Sequence, residues 1–224
     1  MAPLPHIPDR DIVAARGSRT PLDPARPYAC FVEREHSRHG VVEDVAAIFL
    51  TNKECPFRCV FCDLWRKTLP DRIADGLVAG QVEWALENLP EPFHVKLYNA
   101  GSFFDPEAIP SADLPRIAEL LGGKRSAIVE CHPRFVDDRC ISFAKAIAPV
   151  KLEIAMGLET VDPDVLPLIK PSMSLDDFEG AARFLMDNGI DIRAFILLGP
   201  PGHFGRERID WAKRSIDRDR KSVV

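Results

Sequence analysis

No apolar run in this 224-residue chain approaches the length needed to cross a bilayer, which excludes a helical membrane span. The opening stretch MAPLPHIPDRD has neither the basic start nor the apolar core of a signal peptide, so the expected compartment is the cytoplasm, with no membrane partner. Charge of one sign is also missing. Against 34 Asp and Glu stand 29 Lys and Arg, a net charge of −5, so the chain as a whole offers no bulk attraction to nucleic acid or anionic lipid. A second C-x2-C pair is absent, whereas structural zinc normally takes its cysteines as spaced pairs. Six cysteines without secretion features read as reduced thiols or ligands, not as a disulfide framework. What remains, 46% hydrophobic and 28% charged, is ordinary globular composition, long enough for one sizeable domain.

What is present is concentrated at residues 54–65, ECPFRCVFCDLW, directly after the apolar run 45–50. Cys55, Cys59 and Cys62 form a C-x3-C-x2-C triplet on a loop leaving a predicted strand. Three thiolates within eight residues can converge on one small object. Thiolates hold iron–sulfur clusters, and three of them on a four-iron cube leave one iron open to a small chelating molecule. The plainer alternatives are zinc with a remote fourth ligand such as Cys30 or Cys131, or a chance trio of loop cysteines.

The first 27 residues contain six prolines and little periodicity, and read as an irregular arm on or beside the domain. Residues 29–35 and 41–50 flank the polar turn 37–40 as a hairpin or two successive strands. Strands at 94–99, 127–131, 151–157 and 191–198 then alternate with helices at 78–89, 111–121, 137–148, 175–188 and from about 207. Ser111 and Ser174 are the expected helix caps, and Gly189 the expected stop. Such alternation predicts an α/β fold with a parallel sheet and covering helices. Periodicity does not say whether the sheet is open or curled.

In βα barrels the working residues lie at the C-terminal ends of strands. The third parallel strand ends in Glu130-Cys131-His132, and Glu130 and His132, two apart, face the same side. We read them as lining an active-site cavity, with a structural ion pair as the alternative; Cys131 faces the packed side. The fourth strand presents Glu153, Ala155, Gly157 and Glu159 on one face, small residues between carboxylates, as expected of a wall beside a ligand.

The cysteine triplet, with Phe61 before its third cysteine, resembles the signature loop of the radical S-adenosylmethionine (radical SAM) superfamily. Asn99-Ala100-Gly101-Ser102-Phe103 stands where that family has Gly-Gly-Glu, keeping Gly101 but not the acid. The segment Met156-Gly157-Leu158-Glu159-Thr160 is similar to one in the elongator-catalytic-subunit, methylthiotransferase and NifB-like branch, and Leu198-Gly199-Pro200-Pro201-Gly202 to that branch's adenine-contacting turn.

The resemblance implies a partial (βα) barrel of six units, of which about five are counted here, with the core over 28–217 and a charged, disordered tail over 218–224. On this reading the chain looks truncated, or read out of frame, at its end. The resemblance further implies a 4Fe-4S cluster on Cys55, Cys59 and Cys62. It implies SAM held by Phe61, Asn99, Gly101, Glu159, Leu198 and Gly199, and cleaved to a 5′-deoxyadenosyl radical. An external electron donor of flavodoxin or ferredoxin type goes with it. Residues 96–106 look closest to the group holding the radical subunit of archaeosine synthase, which acts on a modified base of transfer RNA. The competing readings are a non-redox zinc-binding or nucleic-acid-interacting module, and a catalytically impaired fragment of such an enzyme.

Overall fold

The run that precedes the cysteine loop is strand β2 (Val42–Leu50), whose residues 45–48 and 50 are buried. A computed structural model of the protein describes residues 6–36 and 40–222. Strand β1 (Ala29–His36) pairs antiparallel with β2, from Ala29 opposite Phe49 to His36 opposite Val42. The hairpin is as expected, although turn residues 37–39 lie outside the described residues. Strands β3 (His94–Asn99), β4 (Ser126–Glu130), β5 (Lys151–Glu159) and β6 (Asp191–Ile196) follow in parallel, giving one sheet in the order β1-β2-β3-β4-β5-β6.

Each parallel strand runs into a helix on the same face: α2 (Leu77–Asn88), α3 (Leu114–Leu120), α4 (Asp138–Ile147), α6 (Leu175–Asp187) and α7 (Glu207–Ser222). Between β5 and α6 lies the one-turn helix α5 (Leu166–Ile169), and the arm contains another short helix, α1 (Asp9–Ala14). Five βα units are therefore present, as the alternation predicts. Ile48, Leu97, Val129, Ile154 and Met156 pack from the strands against Val78, Val82, Ile117, Phe143 and Phe178 from the helices. Burying each such side chain contributes about 1.5–3 kcal/mol.

The other face of the sheet carries a chain of ion pairs beside an aromatic cluster of Phe49, Tyr98 and Phe195, and it curls on itself. Lys96 on β3 bonds to Glu33 (2.9 Å) and Glu35 of β1, and Glu35 also pairs with Arg193 on β6, which holds Glu153 of β5. Contacts from the first strand to the last across one face require a curved sheet. The architecture is a partial barrel.

Several boundaries differ from expectation for identifiable reasons. Ser111 caps nothing; instead buried Asp113 reaches back to the N-terminus of α2 and accepts from Gly76 N (2.6 Å) and Ala79 N (2.9 Å). Ser174 does form a capping box with Asp177. Strand β5 runs two residues past Gly157 to Glu159, and β6 stops at Ile196, short of 198. Helix α7 continues through Ser222 rather than giving way to a tail at 218. Among the described residues no helix is long and apolar enough to cross a membrane.

Candidate functional site

At the C-terminal end of the barrel the chain leaves β2 and closes a narrow base: Leu69 N donates to Asn52 O (2.8 Å) and Glu54 N to Leu69 O (3.1 Å). The loop above carries the three cysteines. It turns through Cys62 N–Cys59 O (3.2 Å), and Val60 N fastens it to Ile169 O (3.0 Å) beyond β5. All three thiols are free and partly exposed, and they face a cavity of about 250 Å³. Burial pushes Cys55 up to about 11 and Cys59 up to about 12, with smaller contributions from neighbouring thiols, and burial also raises Cys62, with smaller contributions from Asp63 and Glu159. Among the described residues no group of three or more His, Cys, Asp or Glu is preset as a metal cage.

The same cavity is lined by Phe61, Gly101, Glu130, His132 and Glu159. Gly101 abuts the cysteine loop; a Cβ there would lie 3.3 Å from Asn99 Nδ2 and 3.8 Å from Cys55 Cα. Glu130 is pushed up to about 7 by burial, partly offset by the Asn99 backbone N–H. His132 bonds not to Glu130 but to Ser172 Oγ (3.2 Å), and its Nδ1 accepts from Arg134 N (3.2 Å). Its ring lies 4.0 Å from that of Phe57. Burial, followed by nearby Lys170 and Arg134, lowers His132 to about 3, so the imidazole is neutral at physiological pH.

Glu159 has φ 64°, a left-handed backbone that ordinary residues avoid, at a β-bulge between β5 and β6. Such strain costs about 1–3 kcal/mol and clusters at ligand sites. Its carboxylate folds back over Gly157 and meets Lys170 Nζ at 3.2 Å, while Lys170 also donates to Gly157 O at 2.6 Å. Burial raises the Glu159 carboxyl despite Lys170.

Four expected residues do not line the cavity. Asn99 is buried beneath it, with neither polar side-chain atom bonded. Leu198, 70% exposed, lies beyond the end of β6, and Gly199 packs under Arg208. Glu153, on the same strand face as Glu159, sits deeper and holds Arg193. Sequence reasoning missed Lys170 and Arg16, both in the cavity wall. Lys170 lies on a loop, where lysine is ordinarily solvated, and Arg16 likewise carries no sequence signal.

The donor set fits a thiolate-held cluster: three unbridged thiols of one loop share a wall with apolar Phe57, Phe61 and Leu64. Asn99, buried and unbonded beside Gly101, leaves polar atoms in want of a partner at the same end of the barrel.

The fold is the radical SAM type of partial βα barrel. The queuine lyase from Clostridium spiroforme, solved with SAM and queuine bound, superposes with a TM-score of 0.62 at 15% identity over 86% of this chain and 76% of that one. No protein-family model matches the chain. By sequence, the archaeosine synthase subunit beta of Thermococcus kodakarensis is 28% identical over 136 residues, 58% of this chain and 42% of the relative. An uncharacterized protein of Methanocaldococcus jannaschii is 21% identical over 192 residues, 80% of this chain and 53% of its own length. The chain thus spans about half the length of the curated relatives it matches.

Proposed function

We propose that the chain holds a 4Fe-4S cluster on Cys55, Cys59 and Cys62 and binds SAM in the adjoining cavity. The observation that carries this is the convergence of the three loop thiols with Gly101, Glu130 and Glu159 on one cavity at the C-terminal end of the barrel. When bound, such a cluster supplies the electron that cleaves SAM to a 5′-deoxyadenosyl radical.

The chain's own part is binding, orientation and exclusion of water. Gly101 lets the end of β3 approach the cysteine loop without a side chain between them. Glu159, held by Lys170, presents a carboxylate for hydroxyl or ammonium groups of SAM. Lys170 places a buried cation beside Cys59, where it favours the thiolate that ligation requires. Neutral His132 can accept or donate at the cavity wall without adding charge. Phe57 and Phe61 keep the wall apolar.

The substrate is inferred to be a modified nucleobase, free or within transfer RNA. Two relatives of different kinds favour it: one named for archaeosine synthesis and one solved with queuine. We further assign an external flavodoxin- or ferredoxin-like donor, a partner subunit by analogy with the beta-subunit relatives, and a cytoplasmic location. The test is SAM cleavage: anaerobically reconstituted, dithionite-reduced protein should release 5′-deoxyadenosine. Intact SAM after many hours, with the cluster present and reduced, would refute the reading.

A further inference from the structure

Residues 6–27, which the sequence presents as an arm of no particular shape, are fastened to the cysteine loop. Thr20 N donates to Arg66 O (2.9 Å), and Gln81 Nε2 donates to Pro24 O (2.8 Å). Arg16 and Arg19 from the arm, together with Arg58 from the loop, converge on Glu54, the residue before Cys55. Three guanidiniums share one carboxylate, so this cluster carries positive charge in excess.

The three arginines are not equivalent. Arg19 places its other donors on Thr68 Oγ1 (2.5 Å) and Trp65 O (3.2 Å), and Arg58 donates to Cys55 O (2.5 Å) and Phe57 O (3.2 Å). These two are committed to holding the loop, and neither lines the cavity. Arg16 does line it. It gives one N–H to Glu54 (2.6 Å), lies 5.0 Å over the Trp65 ring, and has its side chain only 12% exposed. Its Nε–H is buried without a partner. A buried, unsatisfied donor on a cation costs about 1–3 kcal/mol and is seldom left unpaired without reason.

We propose that Arg16 forms an oxyanion subsite in the cavity, contributed by the N-terminal arm, for a carboxylate or phosphate of the bound molecule. The proposal rests on reading this cavity as a ligand site and deepens it. A guanidinium already oriented by Glu54 and Trp65 lines the cavity with only one of its N–H groups given to Glu54, and oxyanion recognition is the task its planar fork suits. The oxyanion has two possible sources, the carboxylate of SAM or an acidic group of the second substrate. Arg16 and the Lys170–Glu159 pair line the same cavity as the cysteines.

Calorimetric titrations of the full chain decide the matter, with SAM, decarboxylated SAM and inorganic phosphate as probes, on the parent, R16Q and R116Q proteins. Loss of a charge-assisted hydrogen bond weakens binding about tenfold or more. If SAM supplies the oxyanion, R16Q loses that factor for SAM but not for its decarboxylated analogue. If the second substrate does, phosphate binds the SAM-loaded parent and fails to bind R16Q. In either case R116Q, which removes an exposed cation paired with Glu83 and Glu119 away from the cavity, stays within about twofold of the parent. Parent-like binding by R16Q in every arm, or equal losses in R116Q and R16Q, would overturn the proposal. Should R16Q not fold, R16K keeps the charge but lacks the Nε–H, and unaltered binding by it overturns the proposal equally. Failed reconstitution would count against the cluster, while the phosphate titration on the unreconstituted chain would still judge Arg16.

Discussion

Gly157 offers the sharpest single test of the site geometry. Its φ is not in the left-handed region, so the demand for glycine is steric. A Cβ there would fall well inside contact distance of Glu159 Oε1 and 2.7 Å from Lys170 Nζ. Both are ends of flexible side chains, but both are buried, with side-chain exposures of 9% and 6%. Gly157→Ala must therefore push the carboxylate and the ammonium apart or displace the pair. Overpacking of this kind costs about 1–3 kcal/mol, and uncoupling a buried pair adds to it. We expect a loss of about 2–4 kcal/mol in urea unfolding, together with weaker SAM binding, because Glu159 leaves its position. The cost should shrink to under about 1 kcal/mol when measured in a Glu159→Ala background, where the main obstruction is gone. If G157A costs the same in both backgrounds, the carboxylate does not lie over Gly157 and the account of Glu159 is wrong.

Other residues give independent tests. Alanine at Cys55, Cys59 or Cys62 should each abolish the visible absorption of the reconstituted protein, whereas alanine at Cys30, Cys131 or Cys140 should leave it; loss in C131A with retention in C55A would reverse the ligand assignment. Glu130 is raised to about 7 in the folded chain from an ordinary value of 4.5. Between those values the folded state binds the extra proton, so its contribution is fully present below 4.5 and is lost as pH rises through 7, by an amount on the order of 3 kcal/mol. Glu130→Gln should remove that fall, and equal pH slopes for parent and variant in urea unfolding from pH 5 to 8 would contradict it. Glu54→Ala leaves Arg16, Arg19 and Arg58 without their common carboxylate. It should therefore speed limited proteolysis within the arm, and an unchanged cleavage rate would show that the arm is held elsewhere.

The strand–helix order was legible because parallel strands buried on their helix-facing side read as apolar runs, as at 45–50 and 154–158. The cysteine loop and the strand-end residues Gly101, Glu130, His132 and Glu159 were legible for a related reason: barrel strands deliver side chains at one end. Contacts between loops distant in sequence were not. The Arg16–Glu54 pair joins residues 38 apart, and nothing local in a proline-rich arm announces it. Lys170 reaches back to Glu159 from a loop, where lysine is ordinarily solvated. The bulge that turns Glu159 into a left-handed conformation breaks the period-two pattern on which strand reading relies. Leu198 and Gly199 were placed at a strand end, but β6 stops at Ile196, and the chain has left the cavity by then.

The central claim is that one loop of three thiols holds an open four-iron cluster, and metal and sulfide analysis after anaerobic reconstitution addresses it most directly. The account predicts about four irons and four acid-labile sulfides per chain with broad visible absorption, lost together when Cys55, Cys59 or Cys62 is replaced. One tightly held zinc per chain with no sulfide would contradict it.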